Sequence, residues 1–476
     1  LDMTILDVAV PSLTLALQAS GTGILWIIDI YPLVMASLLI PMGTLADRMG
    51  HRRLLITGLS VFASGSMLAA FSPNVGALIA MRALMAVGAA MVMPCTVAIV
   101  RQAFDDERER AIALGLWGTV ASAGAAVGPL IGGVLLEHFW WGSIFLVNVP
   151  VMLVVLPMVF AYSPRSSSVS KGDWTISQAL VLMLGIMASI YGLKSAFRVD
   201  SSVILTVVTL LLGVLMLSGF VRKQLRAARP MFDLSLFSIP AIAAGLAMSF
   251  VVMAALAGVE LMLTQELQFV LQRTPLQAGV FLLPLMLGCA VGGPLAGMVL
   301  RFLWLRCVAC LSLAGSSGCL AVLALTRLDD GGIGAIVLLA TLGISLSIGW
   351  TASSVAIMSN TPVEKAGAAG GLEATSFDLG TGLGITAFGL LLASSYQHSM
   401  HVPEGLPPSI AHMATQSIGE TMIAAGALDA DMALDLTLAG NAAFGASHSV
   451  VLLSAAALIG AMAIIVGFIL RPLAPR

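Results

Sequence analysis

The chain has 476 residues, of which 59% are hydrophobic and only 10% charged. A soluble domain carries roughly 25% charged residues, so this composition excludes a water-soluble globule and points to a polytopic membrane protein. The formal net charge of −2 gives no reason to expect a nucleic-acid partner, and none is expected.

About 20 apolar residues are needed to cross the hydrocarbon core of a bilayer. Fourteen stretches qualify, at roughly 1–17, 24–46, 54–72, 76–100, 111–136, 143–162, 176–195, 202–221, 241–268, 276–300, 307–326, 334–358, 367–395 and 448–470. The expected fold is therefore all-α, and an even number of crossings puts both termini on one side. The first stretch opens at Leu1 and is short, so its beginning is expected to precede this numbering, and no signal peptide is visible. With the N-terminus in the cytoplasm, seventeen Lys and Arg fall in cytoplasmic loops, whereas four (Lys194, Arg198, Arg273 and Arg327) fall on the other side. Cytoplasmic loops accumulate Lys and Arg, which makes this the expected orientation.

Six carboxylates lie inside these stretches, Asp2, Asp7, Asp29, Glu260, Glu373 and Asp378, against a single base, Arg82. A charge at the bilayer centre costs about 2.5–3.5 kcal/mol even on insertion scales, so such residues face a bundle interior or a watery cavity. Six acids against one base exceed what ion pairing explains and suggest a pathway for cations, for protons, or for both. Asp29 and Arg82 lie at similar depths by helix rise, so Asp29 or Asp7 is the expected counter-ion of Arg82. Residues five apart on a helix differ by about 140° in projection, so neither Asp2 with Asp7 nor Glu373 with Asp378 shares a face. Glu266, near the end of its stretch, is set aside as interfacial. All five cysteines fall in the stretches, and Cys307 and Cys310, although spaced CxxC, lack a second ligand pair and read as small buried apolar residues.

The two halves read as a repeat. Pro41, Arg48 and Arg53 map onto Pro294, Arg301 and Arg306 at an offset of 253, which also carries Asp7 onto Glu260. Parallel six-helix repeats are a transporter plan. The expected domains are an N-terminal six-helix half at 1–162, an inserted transmembrane hairpin with its flanking loops at 163–240, and a C-terminal six-helix half at 241–476. The last external loop, 396–447, is long and bears Glu404, Glu420, Asp429, Asp431 and Asp435 without Lys or Arg. It is expected to hold helices over 410–428 and 430–444 and to form a solvated cap or an acidic antechamber for cations.

Between the second and third stretches runs Gly43-Thr-Leu-Ala-Asp47-Arg48-Met-Gly50-His-Arg52-Arg53, in which the glycines permit a tight turn and Asp47 suits a cation or a helix N-terminus. This run resembles the G-x-L-a-D-r-x-G-r-k signature of the major facilitator superfamily. In the fifth stretch, Gly124, Gly128, Pro129, Gly132 and Gly133 allow close helix packing and a kink. The same residues resemble the antiporter motif of that family's exporters. Leu1-Asp2-Met-Thr4-Ile-Leu-Asp7-Val-Ala-Val-Pro11 is similar to the first-span signature of the fourteen-span drug:proton antiporters, departing from it at Asp7, and Arg82 matches their fourth-span arginine. The segments around Trp26 to Tyr31, Glu260 to Phe269 and Glu373 to Gly380 most closely resemble quaternary-ammonium and methyl-viologen efflux pumps of the QacA and SmvA type.

The resemblance implies a major facilitator fold and a proton-coupled antiporter that exports lipophilic organic cations by alternating access, as a monomer in the bacterial inner membrane with both termini cytoplasmic. Its partners would be cationic small molecules, protons and the lipid bilayer, with no cofactor and no bound metal. Asp2, Asp7, Asp29 and Arg82 are the expected proton-coupling residues. Glu260, Glu373 and Asp378 are expected to recognise the substrate cation, with Trp26, Tyr31, Trp117 and Phe377 as a pliable aromatic wall. Gly43, Asp47, Arg48, Gly50, Arg52 and Arg53 form the expected conformational latch. Transport of an endogenous cationic metabolite is the alternative, and a non-transporting receptor or scaffold a second one that leaves six costly acids without a purpose. No HExxH or GxSxG run suggests an enzyme.

Overall fold

The protein is described from a computed structural model, which covers residues 2–103, 106–163, 176–196, 202–227, 234–326, 332–362 and 365–470. These residues fold into helices alone: α1 (Asp2–Leu17), α2 (Gly21–Met49), α3 (His51–Ala70), α4 (Val75–Ala103), α5 (Glu107–His138), α6 (Ser143–Leu146), α7 (Asn148–Tyr162), α8 (Ile176–Ala196), α9 (Val203–Arg226), α10 (Pro240–Gln265), α11 (Pro275–Val299), α12 (Leu305–Leu323), α13 (Ile333–Ser359), α14 (Ala366–Ser399), α15 (Pro408–Ala414), α16 (Ile418–Ala425) and α17 (Ala430–Ile469). A short 3-10 turn precedes α10, and a π-turn, Glu266–Val270, follows it. Of the Lys and Arg that set the expected orientation, Arg165, Lys171, Arg198, Arg229, Arg327, Arg471 and Arg476 lie outside the described residues, as do the Asp47 and Trp117 side chains.

Twelve helical segments among the described residues are long and apolar enough to cross a membrane. Two of the expected crossings, α1 and α5, fall outside that count: α1 has only 16 residues, and of α5 only Ala123–His138 is counted, as a shorter apolar helix among the described residues. Both nonetheless belong to the bundle, since α1 packs on α5 and α5 on α11. The expected boundaries hold within a few residues except at the end of the chain. There α17 runs unbroken for 40 residues from Ala430, so the second helix expected in the long loop is the first part of this rod, and 410–428 divides into α15 and α16. No proline interrupts 430–469. At 1.5 Å per residue the rod is about 60 Å long, twice the thickness of the hydrocarbon core.

Burial separates an inner layer from a lipid-facing one. In their most apolar windows α2 and α10 are 83% and 72% buried, whereas α9 and the α6–α7 pair are each 17% buried. Small residues bring the inner helices together. A β-carbon on Gly389 would lie 2.3 Å from a Leu25 methyl of α2, and one on Gly384 would lie 2.4 Å from the Ala254 Cα of α10, so α14 fits between both partners without side-chain spacers. Helices α8 and α9 form an antiparallel pair. Gln224 donates to Gln178 at 2.6 Å near one end, and Thr206 donates to Ser195 at 2.9 Å near the other. Helix α8 lies against α2 and α14, so this pair rests on the seam where α2 meets α14.

One end of the bundle is closed by α16. Its Glu420 carboxylate accepts the Gly21 backbone N–H at 2.8 Å, capping the first turn of α2, and Gln268 donates to the Val8 carbonyl at 2.9 Å across the same seam. At the opposite end Gly50 ends α2 and begins α3 with φ of 89°, a left-handed conformation that glycine adopts without a steric penalty. Cys307 is exposed on the first turn of α12 rather than buried; Cys95 is buried, and no disulfide joins any of the five cysteines, all of which are among the described residues.

Candidate functional site

The carboxylates expected inside the bundle are there, but their partners differ from expectation. Arg82 does not pair with Asp29 or Asp7. Its Nη1 donates to Asp2 Oδ2 at 3.0 Å and its Nε donates to the Ile27 carbonyl at 3.1 Å, while the guanidinium lies over the Tyr31 ring, 4.9 Å from the centroid. The other Asp2 oxygen accepts from Asn148 at 3.0 Å; Asn148 also donates to Ser66, whose hydroxyl donates to the Phe145 carbonyl. Depth alone did not decide the pairing. Asp2 begins α1 on the side facing α4, while Asp7, 140° further round, faces elsewhere.

Asp29 has a partner that the sequence reading counted with the external cations. Lys194, near the end of α8, is 2% exposed, and its Nζ lies 2.7 Å from Asp29 Oδ2. Thr386 of α14 donates to the same oxygen at 2.6 Å, and the ammonium is 3.9 Å from the centroid of Trp26. Arg82 is therefore not the single base of the interior. Lys194 is carried back into the bundle because α8 extends to Ala196 and turns this side chain toward the seam. A third pair joins Glu266 of the π-turn to His448 of α17 at 2.7 Å, with the other His448 ring nitrogen 3.2 Å from the Leu323 carbonyl. Glu266 is thus a half-buried partner of His448 at the end of α10. Its side chain is 12% exposed.

Three acids remain unmatched. Asp7, Glu260 and Asp378 have no ion pair or hydrogen bond to a side chain among the described residues. They belong to one electrostatic neighbourhood across the seam: Asp7 of α1 interacts with Glu260 of α10 and with Arg82, and Tyr31, under Arg82, interacts with Asp378 of α14. Glu373, one and a half turns before Asp378, is 9% exposed and shares a hydrogen bond with Ser354 of α13. Phe377 meets Trp350 edge-on at 5.8 Å. Of the expected aromatic wall, Tyr31 and Trp26 are therefore covered by the protein's own cations, and Phe377 lies beside Glu373 and Asp378.

The glycines of α5 divide between two neighbours. β-carbons on Gly128 and Gly132 would collide with Thr4 and Ile5 of α1, and one on Gly133 would lie 2.5 Å from the Leu276 Cα of α11; one on Gly279 of α11 would in turn lie 2.6 Å from the Pro129 carbonyl oxygen. Gly124 is half-buried on the same helix. At the Gly50 turn, Arg52 donates to the Phe160 carbonyl and lies over its ring, tying α3 to α7, while Arg48 and Arg53 are exposed and Gly43 has room for a β-carbon, which would lie 3.8 Å from Pro94. Sequence reasoning missed Lys194, Thr386, Asn148, Ser66 and His448. A lysine only two residues from a helix end was the one available signal for Lys194; the other four are ordinary polar residues whose roles depend on chain segments at least 79 residues away.

The family model of the Major Facilitator Superfamily matches residues 1–385. The methyl viologen resistance protein SmvA of Salmonella typhimurium is 43% identical over 464 residues, covering 98% of this chain and 94% of that protein. The multidrug efflux pump LfrA of Mycolicibacterium smegmatis is 33% identical over 477 residues, covering 99% of this chain and 93% of the pump. Among solved structures, a bacterial homologue of the lysosomal transporter Spinster, in an inward-facing and occupied conformation, superposes with a TM-score of 0.66 over 98% of this chain and 94% of its own, at 14% identity. Matched over most of its length by the family model and over nearly all of it by relatives above 30% identity, the chain belongs to the Major Facilitator Superfamily of membrane transporters.

Proposed function

We propose that the protein is a drug-efflux antiporter that exchanges protons for lipophilic organic cations. The observation that carries this reading is the partition of the interior acids: Asp2 and Asp29 are matched by fixed cations, and Asp7, Glu260 and Asp378 are not. A buried carboxylate without a fixed counter-charge needs a mobile one, and only a proton or a substrate cation is available to supply it. Competition of the two for the same carboxylates couples their movements. The names of the relatives, methyl viologen resistance protein and multidrug efflux pump, favour organic cations as the substrate class.

In this reading the chain crosses the membrane fourteen times, α1 and α5 joining the twelve longer apolar segments, with residues 1–162 and 241–476 as the two halves and 163–240 as an inserted hairpin. The α16 end is external and both termini are cytoplasmic. Closure of that end by Glu420 and Gln268 supports a conformation sealed toward the outside, and the halves rock about the α2–α14 and α5–α11 seams. The Gly50 turn, with Asp47 and Arg52, latches the cytoplasmic side. The test is dye uptake by everted vesicles. Ethidium should accumulate only when a proton gradient is imposed, and collapse of the gradient should release it. Equal accumulation without a gradient would refute proton exchange.

A further inference from the structure

We infer that Trp26, Asp29 and Thr386 form a binding site for a monovalent organic ammonium, and that Lys194 of the inserted hairpin is its resident occupant, a tethered cation that a substrate must displace. The proposal rests on the efflux reading for its ligand class but concerns a different acid from the unmatched three. An ammonium over an indole face beside a carboxylate is the arrangement that recognises alkylated amines. Here the Lys194 Nζ lies 3.9 Å from the Trp26 centroid and 2.7 Å from Asp29 Oδ2. Tyr191, one turn earlier on α8, extends the aromatic wall at 6.4 Å from Trp26.

Three features distinguish this from a strut that merely docks the hairpin. First, the pairing is incomplete on both sides. Asp29 Oδ1 is buried with no hydrogen-bond partner among the described residues, and the Lys194 ammonium, with three donors, has no acceptor besides Asp29. A bulky cation without donors would forgo only the single contact to Asp29 Oδ2 and would leave no further acceptor unmet. Second, the site borders a cavity. Lys194 also lines a cavity beneath α16, about 890 Å³ including space open to solvent, together with Thr14, Leu25, Tyr396, Gln416 and Glu420. That space gives the displaced lysine somewhere to go. Third, its walls come from α2, α8 and α14, the first and last of which belong to opposite sides of the seam, so separation of the halves takes Thr386 away from Asp29.

Two measurements on the purified full-length protein in lipid nanodiscs test this, both with tetraphenylphosphonium as the probe, a monocation without hydrogen-bond donors. In the unaltered protein, saturating probe should raise the modification of Lys194 by a small amine reagent severalfold, read by mass spectrometry, because the displaced ammonium moves into the cavity. Unchanged or reduced modification would overturn the displacement. In equilibrium binding, Lys194→Met and Lys194→Gln should both bind the probe at least about fivefold more tightly than the parent, the lower end of ordinary coupling between competing ligands. Adding Asp29→Asn or Trp26→Leu to either should abolish the gain. Equal or weaker binding by both lysine variants, in protein whose melting temperature shows it to be folded, would make Lys194 a strut. Tight probe binding with no dependence on Lys194 or Asp29 sinks this proposal and leaves the efflux reading standing, whereas no binding by any form removes both.

Discussion

Asp2 and Arg82 form an ion pair 3.0 Å long inside the first half of the bundle, and Asn148 holds the second Asp2 oxygen at 3.0 Å, so every polar atom of this carboxylate has a fixed partner. The network joins α1, α4 and α7 through groups 1% and 9% exposed at its centre. It is a structural clamp in this conformation, and α1 can shift only by breaking it.

Removing one partner of a buried pair leaves the other charge uncompensated, at a cost of about 3–5 kcal/mol. Asp2→Ala should therefore lower the unfolding temperature in detergent markedly, as should Arg82→Leu. The double variant should be more stable than the sum of the two losses predicts. Additive losses would show that the pair contributes nothing beyond its separate parts. Asp2→Asn, which keeps the shape but removes the charge, leaves Arg82 unmatched and should lower the unfolding temperature in the same direction as Asp2→Ala.

Gly133 and Leu276 touch where α5 meets α11. A methyl at Gly133 would stand 2.5 Å from a backbone atom, which cannot yield as a side-chain tip can. Gly133→Ala should hold the two helices apart and shift the protein toward the state open at the α16 end. A cysteine introduced by Leu25→Cys in the cavity below α16 should then react severalfold faster with a thiol reagent than in the Gly133 background. Equal rates would mean that this contact does not govern closure.

Much of the scaffold was legible in the sequence, because apolar stretches near 20 residues have few alternatives to helices in a bilayer. The Gly50 turn was legible for a similar reason, since its φ of 89° favours glycine. Partner choice was not. Asp2 and Arg82 are 80 positions apart and Glu266 and His448 are 182 apart, and no periodicity along one helix records the rotation of another. Lys194 ends the stretch 176–195 and counts with the external cations, and a lysine near a helix end usually snorkels outward. Only the packing of α8 on the seam reverses that. The 40-residue α17 was cut short because hydropathy reports the membrane-embedded part of a helix and not its continuation.

Glu373 and Asp378 lie one and a half turns apart on α14, both inside the bundle. Two desolvated positive charges need separate counter-charges. Glu373→Gln and Asp378→Asn should therefore reduce resistance to bis-quaternary compounds more than to matched mono-quaternary ones, the loss following substrate charge and not size. Paired resistance profiles decide this, and equal losses in the two series would make these acids general proton carriers.

The central claim is that a substrate cation and a proton compete for Asp7, Glu260 and Asp378. It is tested most directly by adding tetraphenylphosphonium to the purified protein in weakly buffered solution and recording the pH. The account predicts proton release in proportion to bound probe, reduced in Asp7→Asn, Glu260→Gln and Asp378→Asn variants that still bind it. Saturable binding with no proton release in the unaltered protein, across the pH range in which it transports, would contradict the account.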